Sequence, residues 1–234
     1  MRNEHHKVAR TYVLYREARK NERAEEKEEL GVEQNVQEII DAAVQKACKG
    51  LDNVDESLLS SEIKNATYEG ISEKDLAESM LMTARTMVEK EPNYSYATAR
   101  LLLNNMENEV CGFLGIKERE DRTKMYIEAL SKTVDKGIEL DFLSEELKTF
   151  DLEKLGSALQ EQRDYQFTYL GLQTLYDRYF ITHEETRYEM PQVFFMRVAM
   201  GLSINEEHKN ERAIEFYKLL SSFDYMSSTP TLFN

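Results

Sequence analysis

Residues 191–202 read PQVFFMRVAMGL. Proline in first place suits the first turn of a helix, where its missing N–H has no intrahelical acceptor to lose and its fixed φ is already helical. The residues behind it are apolar on nearly every side of a 3.6-residue period, so the segment reads as a helix enclosed by others. The flanking sequence supplies neighbours. KNERAIEFYKLLSSF (209–223) reads as a helix packed beside it, and FTYLGLQTLYDRYF (167–180) as a compact helix before it. Between the latter and Pro191, YFITHEETRYEM (179–190) shows two short strand-like runs around a polar turn, the pattern of a local hairpin.

Further toward the N-terminus the same period continues. Val32, Val36, Ile39, Ile40, Ala43, Val44 and Ala47 mark one stripe of a helix that Gly50 can end in the left-handed conformation. Ser57 to Ala66 reads as a shorter helix. In GISEKDLAESMLMTARTMVEK (70–90), Ser72 is a natural N-cap with Asp75 three positions on, and Pro92 stops the helix. NYSYATARLLLNNMENEVCGFLG (93–115) places Ala99, Leu102, Leu103, Met106, Val110 and Phe113 on one side, with Gly115 at its C-terminus. RTKMYIEALSKTVDKGI (122–138) is another amphipathic helix, and residues 144–161 hold short pieces without clear bounds. With nine glycines and three prolines in 234 residues, the chain is expected to be mainly α.

A net charge of −14 and an isoelectric point near 4.9 argue against direct binding of nucleic acid, which needs a basic footprint. No apolar run approaches the length of a membrane span, so no membrane partner is expected. The two cysteines, Cys48 and Cys111, form no CxxC pair or Cys/His cluster, and a reducing cytoplasm fits them. Eleven of the fourteen residues from Arg16 to Glu29 are charged, the composition of a solvated helix or linker. The histidines His5, His6, His183 and His208 have no carboxylate three residues before them, so the Glu-x-x-His element of di-iron bundles is absent and no metal ligand is assigned. Phosphate-loop and nucleophile-elbow motifs are also missing. No residue of this chain is assigned a catalytic role.

Two stretches stand out from this background. RDYQFTYLGLQTLYDRYF (163–180) crowds Tyr165, Tyr169, Tyr176 and Tyr179 with Arg163, Asp164 and Arg178, which reads as tyrosines burying rings at a helix–helix seam while their hydroxyls stay wet. SSTPTLFN (227–234) surrounds Pro230 with small hydroxyls. It reads either as a Ser/Thr turn leading into a strand or as a resting place for an oxyanion or phosphate.

In order and spacing, FTYLGLQTLYDRYFI, PQVFFMRVAMGL and AIEFYKLLSSFDYMSSTPTLFN resemble the amino-terminal part of the large, catalytic α subunit of aerobic ribonucleotide reductase. DLAESMLMTARTMVEKEPNYSYATARLLL resembles the upstream part of the same domain, so the match covers roughly residues 32–234. EHHKVARTYVLYREAR (4–19) resembles the last helix of the regulatory ATP cone that often precedes it. The resemblance implies three parts: a cone remnant and charged linker over 1–30, an all-α domain with one short hairpin over 31–224, and over 225–234 the first strand of an α/β barrel that is otherwise missing. It also implies that Thr229 hydrogen-bonds the substrate near its phosphate, with Ser228 and Pro230 shaping the same turn. Neither cysteine matches a catalytic position of the family.

On this resemblance the chain contributes one wall of the site that reduces ribonucleotides to deoxyribonucleotides for DNA synthesis, as in ribonucleoside-diphosphate reductase. It binds no cofactor alone. The barrel and redox cysteines are expected on a second polypeptide, from a split gene or across an intervening sequence, and a metal-containing small subunit supplies the radical. Its expected partners are therefore that C-terminal barrel fragment, the radical-generating small subunit and the ribonucleotide, in a dimeric assembly, and the isolated chain is expected to be inactive. The alternative is a non-catalytic helical regulatory or interaction subunit derived from this domain.

Overall fold

The computed structural model describes residues 36–68, 70–117 and 119–232. The chain divides between Ile39 and Ile40, and the packing below is that of the unit beginning at Ile40. The expected cone remnant and linker at 1–30 lie outside the described residues.

Helices α1 (Val36–Cys48), α2 (Glu56–Asn65), α3 (Glu73–Met87), α4 (Tyr94–Leu114) and α5 (Arg122–Glu139) come first. Two 3₁₀ turns, Glu145–Thr149 and Glu161–Gln166, flank the short α6 (Leu152–Ser157). Then follow α7 (Tyr169–Arg178), strands β1 (Thr182–His183) and β2 (Thr186–Arg187), α8 (Pro191–Ser203), α9 (Lys209–Ser221) and α10 (Thr229–Leu232). The mainly helical class and the hairpin agree with expectation; β1 and β2 pair antiparallel, with Thr182 opposite Arg187 and His183 opposite Thr186.

Local chemistry sets the helix ends. Ser72 accepts a hydrogen bond from the Asp75 N–H at 3.1 Å, and Asp55 and Asp121 do the same for Leu58 and Lys124, each satisfying a donor that the first turn leaves unpaired. Gly115 closes α4 at φ +64°, where a side chain is disfavoured.

The enclosed helix is α8, in which every residue from Pro191 to Met200 is buried. Phe194 meets Phe180 edge to face at 5.3 Å and tilts against Phe195 at 5.1 Å, while Phe195 stacks on Phe167 at 6.3 Å and meets Phe223 edge to face at 6.2 Å. Each fully buried phenyl contributes about 1.5–3 kcal/mol through apolar burial. Around α8 lie α9, its principal neighbour, and α5; α4 bridges α3 to α7. α6 approaches α5 closely because Gly156 has no Cβ: one there would stand 3.1 Å from the Ile127 Cα.

One expectation is corrected. Residues 229–232 form a single helical turn where the first barrel strand was expected. A strand draws its hydrogen bonds from a neighbour, and among the described residues none flanks this segment. The backbone closes on itself instead, Thr231 N–H donating to the Ser228 carbonyl at 3.0 Å.

Candidate functional site

Ser228, Thr229 and Pro230, the residues expected to meet substrate, occupy one exposed turn. Ser227 before them and Leu232 after them are buried, so the turn is pinned on both sides and its middle is left at the surface. The structure brings a further hydroxyl to it. Tyr179 Oη lies 3.0 Å from Thr229 Oγ1, across fifty positions of sequence, and either atom can donate.

Tyr179 is placed by the elements around it. Its N–H donates to the Leu175 carbonyl at 2.9 Å, capping α7, and its ring tilts against Phe194 at 6.5 Å. α7 is in turn fastened to α4 near both ends. The Tyr169 N–H donates to Ser95 Oγ at 3.1 Å, and the Tyr176 hydroxyl donates to Glu109 Oε2 at 2.7 Å. Glu109 also accepts the Arg187 N–H from β2 at 2.8 Å, while the Arg187 guanidinium lies over the Tyr176 ring at 4.3 Å. Burial, followed by the bond to Glu109, pushes the Tyr176 phenol up to about 12, so this clamp persists across the neutral range. One shelf therefore presents the hydroxyls of Ser228, Thr229 and Tyr179. Such groups are neutral donors suited to phosphoryl or other anionic oxygens.

Elsewhere in the core, a buried polar network ties α5, the second 3₁₀ turn, α8 and α9 together. Asp164, 2% exposed, accepts from Arg122 Nη2 at 2.9 Å, from Gln192 Nε2 at 2.9 Å and from the Tyr126 hydroxyl. Arg122 also pairs with Glu107. The Tyr217 hydroxyl donates to Gln192 Oε1 at 2.8 Å and accepts the Gln160 N–H at 2.8 Å. Burial raises Asp164 to about 6, against the opposing pull of its bonds to Tyr126, Arg122 and Gln192. For Arg122, burial opposes the charge, but Tyr126, Glu107 and Asp164 outweigh it and hold the guanidinium above its ordinary range. The cation is therefore permanent, and the carboxyl is the partner that titrates.

A second buried pair joins α8 to the residue two places before it. Arg197 meets Glu189 through Nε at 2.5 Å and Nη2 at 3.2 Å, and Glu189 accepts the Ile181 N–H at 2.9 Å. It locks the end of the hairpin to the central helix.

The tyrosine-rich stretch 163–180 thus behaves partly as expected: Tyr169 and Tyr176 line the α4–α7 seam, but Asp164 is a buried hub. Gln192 and Arg197, two polar residues inside an otherwise apolar helix, were the sequence signal for these networks, because such groups are buried only when partnered. Tyr179 had no such signal, since its partner is fifty residues away. Both cysteines are buried, and burial foremost pushes the Cys48 thiol up to about 11 and raises that of Cys111, which leaves little thiolate at neutral pH. Among the described residues no three His, Cys, Asp or Glu side chains converge to hold a metal ion, and no helix is long and apolar enough to cross a membrane.

Comparison with known proteins gives this geometry its context. Residues 165–234 match the family described as ribonucleotide reductase, all-alpha domain. The chain is 37% identical over 249 residues to the ribonucleoside-diphosphate reductase subunit alpha of Chlamydia trachomatis, covering 98% of this chain and 24% of the relative. Identity is 36% over 190 residues to the corresponding Helicobacter pylori subunit, covering 80% of this chain and 23% of that one. For the large subunit of Danio rerio it is 30% over 199 residues, covering 83% and 24%. The chain spans about a quarter of the length of these curated relatives. On these similarities the chain belongs to the ribonucleotide reductase large-subunit family, whose all-alpha domain its residues 165–234 carry.

Proposed function

We propose that this chain supplies the all-alpha part of a cytoplasmic ribonucleoside-diphosphate reductase large subunit and one wall of its substrate site. The observation that carries the reading is the similarity along 98% of the chain to a ribonucleoside-diphosphate reductase subunit alpha. In this reading the exposed turn Ser228–Pro230 meets the substrate, and the Thr229 hydroxyl donates to an oxygen near its phosphate. Burial of Ser227 and Leu232 anchors that turn, and the bonds between α4 and α7 anchor Tyr179, so the hydroxyls are ordered before the nucleotide arrives. Pre-orientation of this kind lowers the ordering cost of binding.

The chain's own residues do not perform the reduction. Radical and redox thiols come from the part of the large subunit that carries the barrel and from a radical-generating small subunit, because Cys48 and Cys111 are packed in the core. The test is to mix this chain with a polypeptide carrying the barrel and redox cysteines and follow them by size exclusion. Co-elution of the two supports the reading. Separate elution, with no reductase activity in the mixture, refutes it and favours a non-catalytic interaction subunit.

A further inference from the structure

We propose that Tyr179 is a positioning residue for substrate binding, acting through Thr229 by fixing the direction in which the Thr229 hydroxyl donates. The inference rests on the reading that Thr229 contacts the nucleotide near its phosphate, and extends it to a residue that the family resemblance did not single out.

A threonine hydroxyl has one proton and two lone pairs, and the Tyr179 phenol has one proton of its own. With the two oxygens 3.0 Å apart, one proton lies between them and either residue can supply it. A phosphate oxygen can only accept. When one docks at Thr229, the threonine proton must turn toward it, and the proton between the two residues must then come from Tyr179. The result is a directed chain from Tyr179 to Thr229 to phosphate, in which each bond polarises the next.

Tyr179 suits the outer place in that chain because its position does not depend on Thr229. Its ring is backed by Phe194, its N–H is tied to Leu175, and α7 is clamped to α4 through Tyr176 and Glu109. The exposed turn, by contrast, is held by Ser227 and Leu232 at its flanks, with Thr229 itself at the surface. A rigid phenol beside a surface threonine restricts the threonine rotor to the orientation that an anion requires. Phenylalanine at 179 keeps the ring and removes the hydroxyl that meets Thr229.

The experiment is a double-mutant cycle on KM and kcat in the assembled reductase, with a ribonucleoside diphosphate as substrate. Tyr179→Phe is expected to raise KM about 3- to 10-fold, the size of one lost hydrogen bond, with little change in kcat. Thr229→Val is expected to raise KM at least as much. The double variant should be no worse than Thr229→Val alone, since a residue acting through Thr229 has nothing left to orient. Thr229→Ser restores a hydroxyl and should keep its KM only while Tyr179 is present.

If Thr229→Val raises KM and Tyr179→Phe does not, or if the two effects simply multiply, the positioning role is refuted and the substrate reading stands. Failure of Thr229→Val to change KM overturns the substrate reading itself. Thermal unfolding of each variant separates these outcomes from misfolding. A purely structural tether would lower the melting temperature in Tyr179→Phe and spare KM, which also refutes the proposal.

Discussion

Replacing Asp164 by alanine strips the acceptor from three donors at once, the buried Tyr126 and Gln192 and the half-buried Arg122. Arg122 loses one of its two carboxylate partners, and the Tyr126 hydroxyl and Gln192 amide lose theirs in a site that water does not reach freely. Breaking one side of a buried ion pair costs about 3–5 kcal/mol. Glu107 still pairs with Arg122, so the expected loss at pH 7 is at the lower end, about 3 kcal/mol. Asp164→Asn keeps the volume and one accepting oxygen and should lose less, about 1–2 kcal/mol.

The two variants also differ from the parent in pH dependence. Asp164 is raised from 3.8 to about 6 in the fold, so over that window the folded chain keeps a proton that the unfolded chain releases. The stability it contributes is fully present below pH 3.8 and is lost as pH rises through about 6. The shift corresponds to about 3 kcal/mol across the window. Urea unfolding followed by circular dichroism at pH 4, 5, 6 and 7 measures both effects. The parent's stability advantage over Asp164→Asn should shrink as pH rises from 4 to 6. A parent-minus-Asn difference that is flat with pH, or an Asp164→Ala loss below about 1 kcal/mol, would refute the view of Asp164 as a desolvated hub.

Three further outcomes are expected. Glu189→Gln removes the carboxylate that pairs with the buried Arg197 guanidinium and should destabilise by about 3 kcal/mol, with loss of hydrogen-exchange protection at Ile181, whose N–H Glu189 accepts. Gly115→Ala forces a side chain into the left-handed region at φ +64° and should cost about 1 kcal/mol in the same urea assay, without altering the helical spectrum. With Cys48 pushed up to about 11 and both thiols buried, a thiol reagent at pH 8 should label neither cysteine in the native chain and both in urea; rapid native labelling contradicts the packing described.

Much of the fold was legible because the signals were local. Ser72, Gly115 and Pro191 act within one turn of their own positions, and the apolar wrap of 191–202 announced a central helix. Segment 225–234 was harder: its hydroxyl-rich turn was readable, but a strand is decided by its neighbour, and here the backbone bonds within itself as one helical turn. The site showed the same division. Thr229 was pointed to by family resemblance and not by its own spacing, whereas the partnership with Tyr179, the gathering of Arg122, Tyr126, Gln192 and Tyr217 around Asp164, and the closure of Glu189 on Arg197 depend on tertiary packing. Spacing along one helix cannot encode contacts made between four.

The most direct test of the central claim is reduction of a radiolabelled ribonucleoside diphosphate by the assembled large and small subunits, with this chain present, omitted, or carrying Thr229→Val. Deoxyribonucleotide is expected only when the chain is present, with weaker substrate binding in the variant. Turnover that is the same without the chain would contradict it.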